Sequence, residues 1–187
     1  MDIKEFLDND KKGHKERSRA EVEKHLDEGN SLTVAEREDY FMGISTMFPA
    51  MMLGHYYEFK TGNAPDGYMN EFVPRVEKKY MGINRPLLDT VYENYGDGSV
   101  LAAFLGAYLS YYPVRILSDF ADYAFLDDEK KKAEEFMDDY RTKELPGLVK
   151  RAAKECADKE SKKDLILYLT TEYPFELLGK FHDRISG

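Results

Sequence analysis

The chain has little of what stabilises exported proteins or anchors membrane proteins. It contains one cysteine, Cys156, so an internal disulfide is excluded and a reducing compartment is expected. The first ten residues, MDIKEFLDND, lack the apolar run of a signal peptide, and no stretch approaches 18 uncharged apolar residues. We therefore expect a cytoplasmic protein without a membrane-spanning helix.

The sequence also lacks the short motifs that identify common enzymes. It has no GxxxxGK[ST] phosphate loop, no GxGxxG dinucleotide motif and no HExxH zinc motif. His55 and Glu58 lie one helical turn apart, but a di-metal bundle needs Glu-x-x-His on two helices and two further Glu residues. We predict no catalytic residue, no metal and no cofactor.

What the chain does contain is enough apolar residues for a folded core. It has 187 residues, of which 42% are hydrophobic and 13% aromatic. A chain of this size buries about 70% of its surface on folding. Apolar residues recur with helical spacing, as in Phe41, Ile44, Phe48, Met51 and Met52, whereas alternation with period two is absent. We predict a single all-α domain over 1–187, a multi-helix bundle or a short helical stack.

Capping and breaker residues set the expected helix limits. Thr33-Val-Ala-Glu36 is a capping box, so a helix is expected to begin at Thr33 and to end at the breaker cluster 61–67. Residues 1–30 are expected to hold one short and one medium helix. Further helices are expected at about 68–81, 84–95, 99–125, 127–143, 146–158 and 161–185.

Three of these helices share a pattern around a proline. Pro49, Pro113 and Pro174 each follow an aromatic residue, and a hydroxyl residue lies three positions before each proline. Because a proline within a helix removes a hydrogen bond and crowds the preceding turn, we predict kinks in which these hydroxyls bind the freed carbonyls. The spacing predicts weak pseudo-repeats of about 60 residues. The hydroxyl residues are Thr46, Ser110 and Thr171.

The formal net charge of −9 is concentrated in the middle of the chain. Residues 1–30, 31–126 and 127–187 carry net charges of −2, −5 and −2. The middle segment also holds 18 of the 25 Phe and Tyr residues, so the aromatic part of the chain is its acidic part. An acidic chain is a poor nucleic-acid binder because phosphate contacts dominate that affinity. It suits a basic protein surface better.

Adjacent tyrosines and acids in this segment predict an acidic, tyrosine-rich binding face, a composition typical of protein interfaces. We interpret the protein as a non-enzymatic regulatory binder. The sharpest form of this hypothesis is an inhibitor of a nucleic-acid-handling protein, in the manner of anti-restriction and anti-CRISPR proteins that mimic nucleic acid. The predicted face comprises Tyr57, Glu58, Tyr92, Glu93, Tyr95, Asp97, Tyr111, Asp119 and Asp122.

One basic cluster lies near the start of the chain. It is a candidate contact for a phosphate or an acidic partner, and the alternative is a solvated helix start. The cluster comprises Lys11, Lys12, Lys15, Arg17 and Arg19.

Two other functions stay open. The first is a bundle that binds a small apolar ligand near the proline kinks. The second is an enzyme of unknown type that uses His55 and Glu58. The expected pocket residues for the apolar ligand are Met47, Met51, Met52, Phe104 and Tyr108.

Overall fold

A computed structural model describes residues 2–28, 33–63, 67–95, 99–156 and 162–187. Of these residues 95% are helical and none is in a strand, so the predicted all-α bundle is confirmed. The helices are α1 (Ile3–Glu28), α2 (Val34–Met42), α3 (Phe48–Thr61), α4 (Val73–Tyr95), α5 (Ser99–Ala124), α6 (Asp127–Asp139), α7 (Leu145–Cys156), α8 (Lys162–Thr171) and α9 (Tyr173–Ser186).

Two π-helical segments join α2 to α3 and α6 to α7, and a third leads into α4. With α8 and α9 counted as one rod that is broken at Glu172, the described chain forms six rods. The segments are Gly43–Met47, Tyr68–Phe72 and Tyr140–Glu144. Each one ends two residues before a proline. In each case the residue just before the proline donates its N–H to the carbonyl five positions back, as Phe48 does to Gly43. Proline offers no N–H and crowds the carbonyl four positions back, and the wider π turn makes room for its ring. The prolines concerned are Pro49, Pro74 and Pro146.

Several expected helix limits are wrong, two of them because a proline lies inside a continuous rod rather than at its start. The break expected before Pro86 does not occur, since α4 continues through this residue and buries Asn84 completely. The chain likewise continues from α6 through the third π segment into α7. The two helices expected in residues 1–30 are one helix, α1. Conversely, the last expected helix is two, because Glu172 interrupts it and Pro174 lies in the first turn of α9.

The hydroxyls near the prolines bind carbonyls other than those that the prolines leave without a donor. Ser110 Oγ donates to the Gly106 carbonyl at 2.8 Å, whereas Pro113 frees the carbonyl of Leu109. Thr171 Oγ1 donates to the Leu167 carbonyl at 2.5 Å, four residues back along its own helix. The predicted role of these hydroxyls is therefore wrong at both positions. The 60-residue pseudo-repeat stays a prediction.

Helix α5 lies at the centre of the bundle and packs against α3, α4, α6, α7, α8 and α9. Its buried Phe120 ring lies 5.7–6.1 Å from four other aromatic rings, which come from two other rods and from the segment just after α5. All four contacts are edge-to-face, which is the arrangement that aromatic quadrupoles favour. Buried apolar residues from α1 to α9 belong to one continuous cluster. The four rings belong to Tyr56, Tyr68, Phe72 and Phe125.

A buried carboxyl group joins α2 to α4. Glu38 is 2% exposed, and its Oε2 lies 3.8 Å from Arg85 Nη1. Loss of hydration, together with the hydrogen bond to Asp89, raises the pKa of Glu38 to about 7, although Arg85 opposes the shift. Among the residues that the structure describes, none forms a hydrogen bond with Glu38 Oε1. The fold therefore favours the protonated form of this side chain.

We predict that this carboxyl makes the protein less stable as the pH rises. Its folded pKa of about 7 exceeds its ordinary value of 4.5, so the folded state holds more protons between these limits and loses stability as pH rises through them. Glu38→Gln should therefore gain about 2 to 3 kcal/mol over the wild type between pH 5 and pH 8. Urea unfolding at four pH values measures the difference. Glu93→Gln, an exposed change on α4, is the matched control, and equal pH profiles for both variants would contradict the prediction.

Candidate functional site

A groove of about 460 Å³ lies between α1 and α3. Phe6 and Asp10 lie four positions apart on α1, and Glu58 and Phe59 lie about one turn after His55 on α3. Each helix therefore presents one continuous face to the groove. The lining residues are Phe6, Asn9, Asp10, His55, Glu58 and Phe59.

The floor of the groove is aromatic. Phe6 and Phe59 stack with ring centroids 4.7 Å apart and an interplanar angle of 23°. Phe6 is buried and Phe59 is half-buried. Behind Phe59 lie Tyr56, at 6.3 Å between ring centroids, and His182, at 6.1 Å. The floor is therefore fixed by the core rather than by surface side chains.

The walls of the groove carry the polar groups. His55 Nδ1 donates to Asp10 Oδ1 at 2.8 Å, and a carboxylate acceptor sets this tautomer. Glu58 is exposed one helical turn further along α3. Two carboxylates above an aromatic floor form a suitable environment for an organic cation, which gains from both charge pairing and ring contact.

Polar contacts with the α8–α9 junction hold α1, which forms one wall of the groove, in place. Lys11 Nζ and Lys15 Nζ lie 2.9 and 2.5 Å from the two carboxylate oxygens of Glu172. Partial burial by itself would raise the pKa of Glu172, but hydrogen bonds from Lys15 and Lys11 outweigh it and lower the pKa. His14 Nε2 donates to the Thr170 carbonyl at 3.2 Å. This is the carbonyl that Pro174 leaves without a backbone donor.

Three residues of the predicted basic cluster bind carboxylates of the same chain. Lys11 and Lys15 bind Glu172 of the same chain, and Arg19 pairs with Glu23 one turn away at 3.1 Å. Lys12 is exposed. The side chain of Arg17 lies outside the described part of the structure.

The predicted acidic face is dispersed over several surfaces. Glu58 lines the groove, whereas the neighbouring Tyr57 ring packs on Tyr68 and Phe120, at 6.2 and 6.5 Å between centroids. Glu93 is exposed on α4. Asp97 lies outside the described residues, as do the side chains of Tyr92 and Tyr95.

Three members of the predicted face lie on α5 and have partners within the chain. Asp119 accepts hydrogen bonds from Lys79 Nζ and from the Tyr80 hydroxyl, both at 2.7 Å. Asp122 Oδ1 lies 3.2 Å from Lys130 Nζ. Tyr111 is 38% exposed, and Arg115 lies over its ring at 5.7 Å. Lysines thus compensate both of these carboxylates.

The five residues expected to line an apolar pocket do not share a described cavity. Met51 and Met52 line a cavity of about 30 Å³ beside His14 and Phe48, and the other three are not among its lining residues. Phe104 and Tyr108 instead pack on each other, with ring centroids 5.9 Å apart.

Four groove residues were missed from the sequence. Asp10 and His55 are 45 positions apart, and no local pattern connects them. The four-residue spacing of Phe6 and Asp10 indicates that they share one face of α1. No sequence pattern indicates which helix packs opposite that face. The missed residues are Phe6, Asn9, Asp10 and Phe59.

Within the described ranges, no group of three or more His, Cys, Asp or Glu side chains is placed to hold a metal ion. None of the helices in the same ranges combines the length and the apolar character that a membrane crossing requires.

We predict that Glu172→Gln loosens α1. The variant weakens both lysine contacts, and exposed ion pairs of this kind contribute up to about 1 kcal/mol each. Amide hydrogen exchange in α1 should therefore accelerate about fivefold, while exchange in α5 stays unchanged. Glu135→Gln, at an exposed site on α6, serves as the control. Unchanged exchange in α1 would show that its apolar contacts suffice to hold it.

Comparison of the chain with known proteins found no matching family model, no similar curated protein and no similar solved structure. Proposals on its function therefore depend on the chemistry of its own side chains.

Proposed function

We propose that the protein is a non-enzymatic binding protein that receives a basic side chain of a partner protein in the groove between α1 and α3. One observation carries this proposal: the carboxylate residues Asp10 and Glu58 line the same groove as the stacked rings of Phe6 and Phe59. An arginine or lysine side chain matches this arrangement, because its stem packs on the rings while its charged end pairs with the carboxylates.

The overall charge supports the same class of partner. A net charge of −9 attracts basic surfaces at long range and speeds their encounter with the protein. The finer form of the proposal is a basic partner that handles nucleic acid and is inhibited when this protein occupies its phosphate-binding surface. Glu58 and Glu93 are exposed acids that suit such a contact, whereas Asp119 and Asp122 already pair with lysines of the same chain.

A second candidate function depends on the hydrogen bond between Asp10 and His55. A carboxylate that fixes the tautomer of an imidazole is half of a general acid–base arrangement, and Glu58 lies one turn away. This would make the groove an enzyme site of unknown reaction. The 30 Å³ cavity beside Met51 and Met52 gives no comparable support to the apolar-ligand hypothesis, because small-molecule sites measure about 300–1,000 Å³.

We predict that the full-length protein binds a fluorescent nona-arginine peptide and that Glu58→Gln weakens this binding about tenfold, because the variant loses a charge-assisted contact. Fluorescence anisotropy at 50 and 300 mM salt measures the affinity, which should fall at the higher salt. Glu135→Gln removes the same charge from α6, away from the groove. Equal losses in both variants would mean that only net charge matters and would refute the groove as the site.

The same samples distinguish the two candidate functions. Mass spectrometry of the peptide after incubation should show no covalent change if the protein only binds it. A change that the wild type causes and that His55→Ala abolishes would instead favour the enzymatic function.

A further inference from the structure

The groove between α1 and α3 continues beyond the residues that line its main cavity. The cavity of about 30 Å³ beside Met51 shares Asp10 and His55 with the groove, so the two lie end to end. Along α1 the lining residues of both have a four-residue spacing, from Phe6 through Asp10 to His14. Because residues four apart lie on one face of a helix, the groove and the small cavity together form one extended groove.

The two walls of the extended groove run antiparallel. Phe6 stacks on Phe59 at one end, and His14 meets Phe48 at the other, with ring centroids 4.7 and 4.8 Å apart. Position numbers therefore rise along α1 while they fall along α3. From Phe48 to Phe59 the α3 wall advances about 16 Å. The extended groove thus has the length of an elongated protein segment of about three helical turns.

The two ends of the extended groove differ in chemistry. At one end Glu58 is exposed, and no described residue forms an ion pair or a hydrogen bond with its carboxylate. At the other end Met51 is 37% exposed. Methionine is an adaptable apolar contact. A segment that spans the extended groove therefore needs a basic group for one end and an apolar group for the other.

The lining of the extended groove is negatively charged. It includes Asp10 and Glu58 but no lysine or arginine. Lys60, two positions from Glu58, is paired with Glu129 at 2.7 Å. The hydrogen bond from His55 leaves the negative charge of Asp10 in place as long as the imidazole is neutral. The charge of the site complements a basic side chain.

The spacing of the two end groups distinguishes a helix from a strand as the occupant. Met51 and Glu58 are seven positions apart on α3, which is about two turns or 10 Å. On a second helix lying along the extended groove, residues seven apart share a face and span the same distance. On a β-strand, about 10 Å corresponds to three residues, whose first and last side chains point to opposite faces. The spacing therefore favours a helix.

We propose that the extended groove binds an amphipathic helix of the basic partner, in which a basic residue and an apolar residue lie seven positions apart. The basic side chain pairs with Asp10 and Glu58, and the apolar side chain packs on Met51 and Phe48. This inference rests on the proposed function, because it specifies the element on which the partner presents its basic side chain.

The test uses the full-length protein and two alanine-based helical peptides of identical composition. In the first, the only arginine and the only leucine are seven positions apart; in the second, they are five apart and lie on opposite faces. Each peptide is made with the two residues in both orders, because the helix can run in either direction along α3. NMR titration at pH 8 follows the methyl signals of labelled methionine.

The first peptide, in its better order, should shift the Met51 signal in a saturable way and bind at least fivefold more tightly than the second. Glu58→Gln should weaken binding of both peptides. Met51→Ser should reduce the affinity for the first peptide to that for the second. Leu87→Ser is the matched control, because it removes an exposed apolar side chain from α4, and Leu87 is not among the residues that line the extended groove.

The outcomes separate this inference from the proposed function. Equal affinity for the two peptides, together with weaker binding to Glu58→Gln, would overturn the helix and leave the proposed function standing. Binding that Glu58→Gln does not weaken would refute the proposed function and this inference with it. Equal losses in Met51→Ser and Leu87→Ser would overturn the apolar contact on which the inference depends. Both side chains are exposed, so neither variant removes a core residue.

Discussion

The structure depends on how its helices tolerate prolines within them. A proline has no N–H to give to the carbonyl four residues back, and its ring crowds that carbonyl. Three rods widen into π-helical turns just before a proline. At Pro174 the helix breaks instead, and the freed Thr170 carbonyl accepts a bond from His14 of α1. Glu172, at the same break, binds Lys11 and Lys15. A defect in the backbone of one rod thus becomes the attachment point of another.

The position of the groove follows from this arrangement. The contacts at the α8–α9 break fix α1, and α1 supplies one wall of the groove that contains Asp10 and His55. A cavity of about 350 Å³ lies beside the π-helical turn before Pro146 and is lined by residues at both ends of that turn. The cavity therefore lies next to a place where a proline interrupts regular hydrogen bonding, whereas the groove is connected to such a place through α1. Such places leave side chains and carbonyls that pack less uniformly than an unbroken helix does.

Electrostatics divides the acidic residues into three groups. Glu38 is buried and favours its protonated form, so its charge depends on pH and is not available to a partner. Asp119 and Asp122 are paired with lysines across helices, which leaves little charge for an incoming protein. Glu58 and Glu93 are exposed. The distribution explains why the net charge overstates the acidity of the face that α5 presents.

The sequence by itself determined the features that depend on residues close to one another along the chain. The helical spacing gave the all-α class, and the capping box was found as expected, with the Glu36 amide 3.3 Å from Thr33 Oγ1 and the Thr33 amide 2.8 Å from Glu36 Oε2. Gly62, within the expected breaker cluster, adopts φ +68° and ends α3. These features involve three or four consecutive residues, for which backbone geometry fixes the distance. Only the tertiary structure decided which helix faces meet. Asp10 reaches His55 across 45 positions and Lys15 reaches Glu172 across 157, because packing of the rods, rather than any local pattern, brings these side chains together.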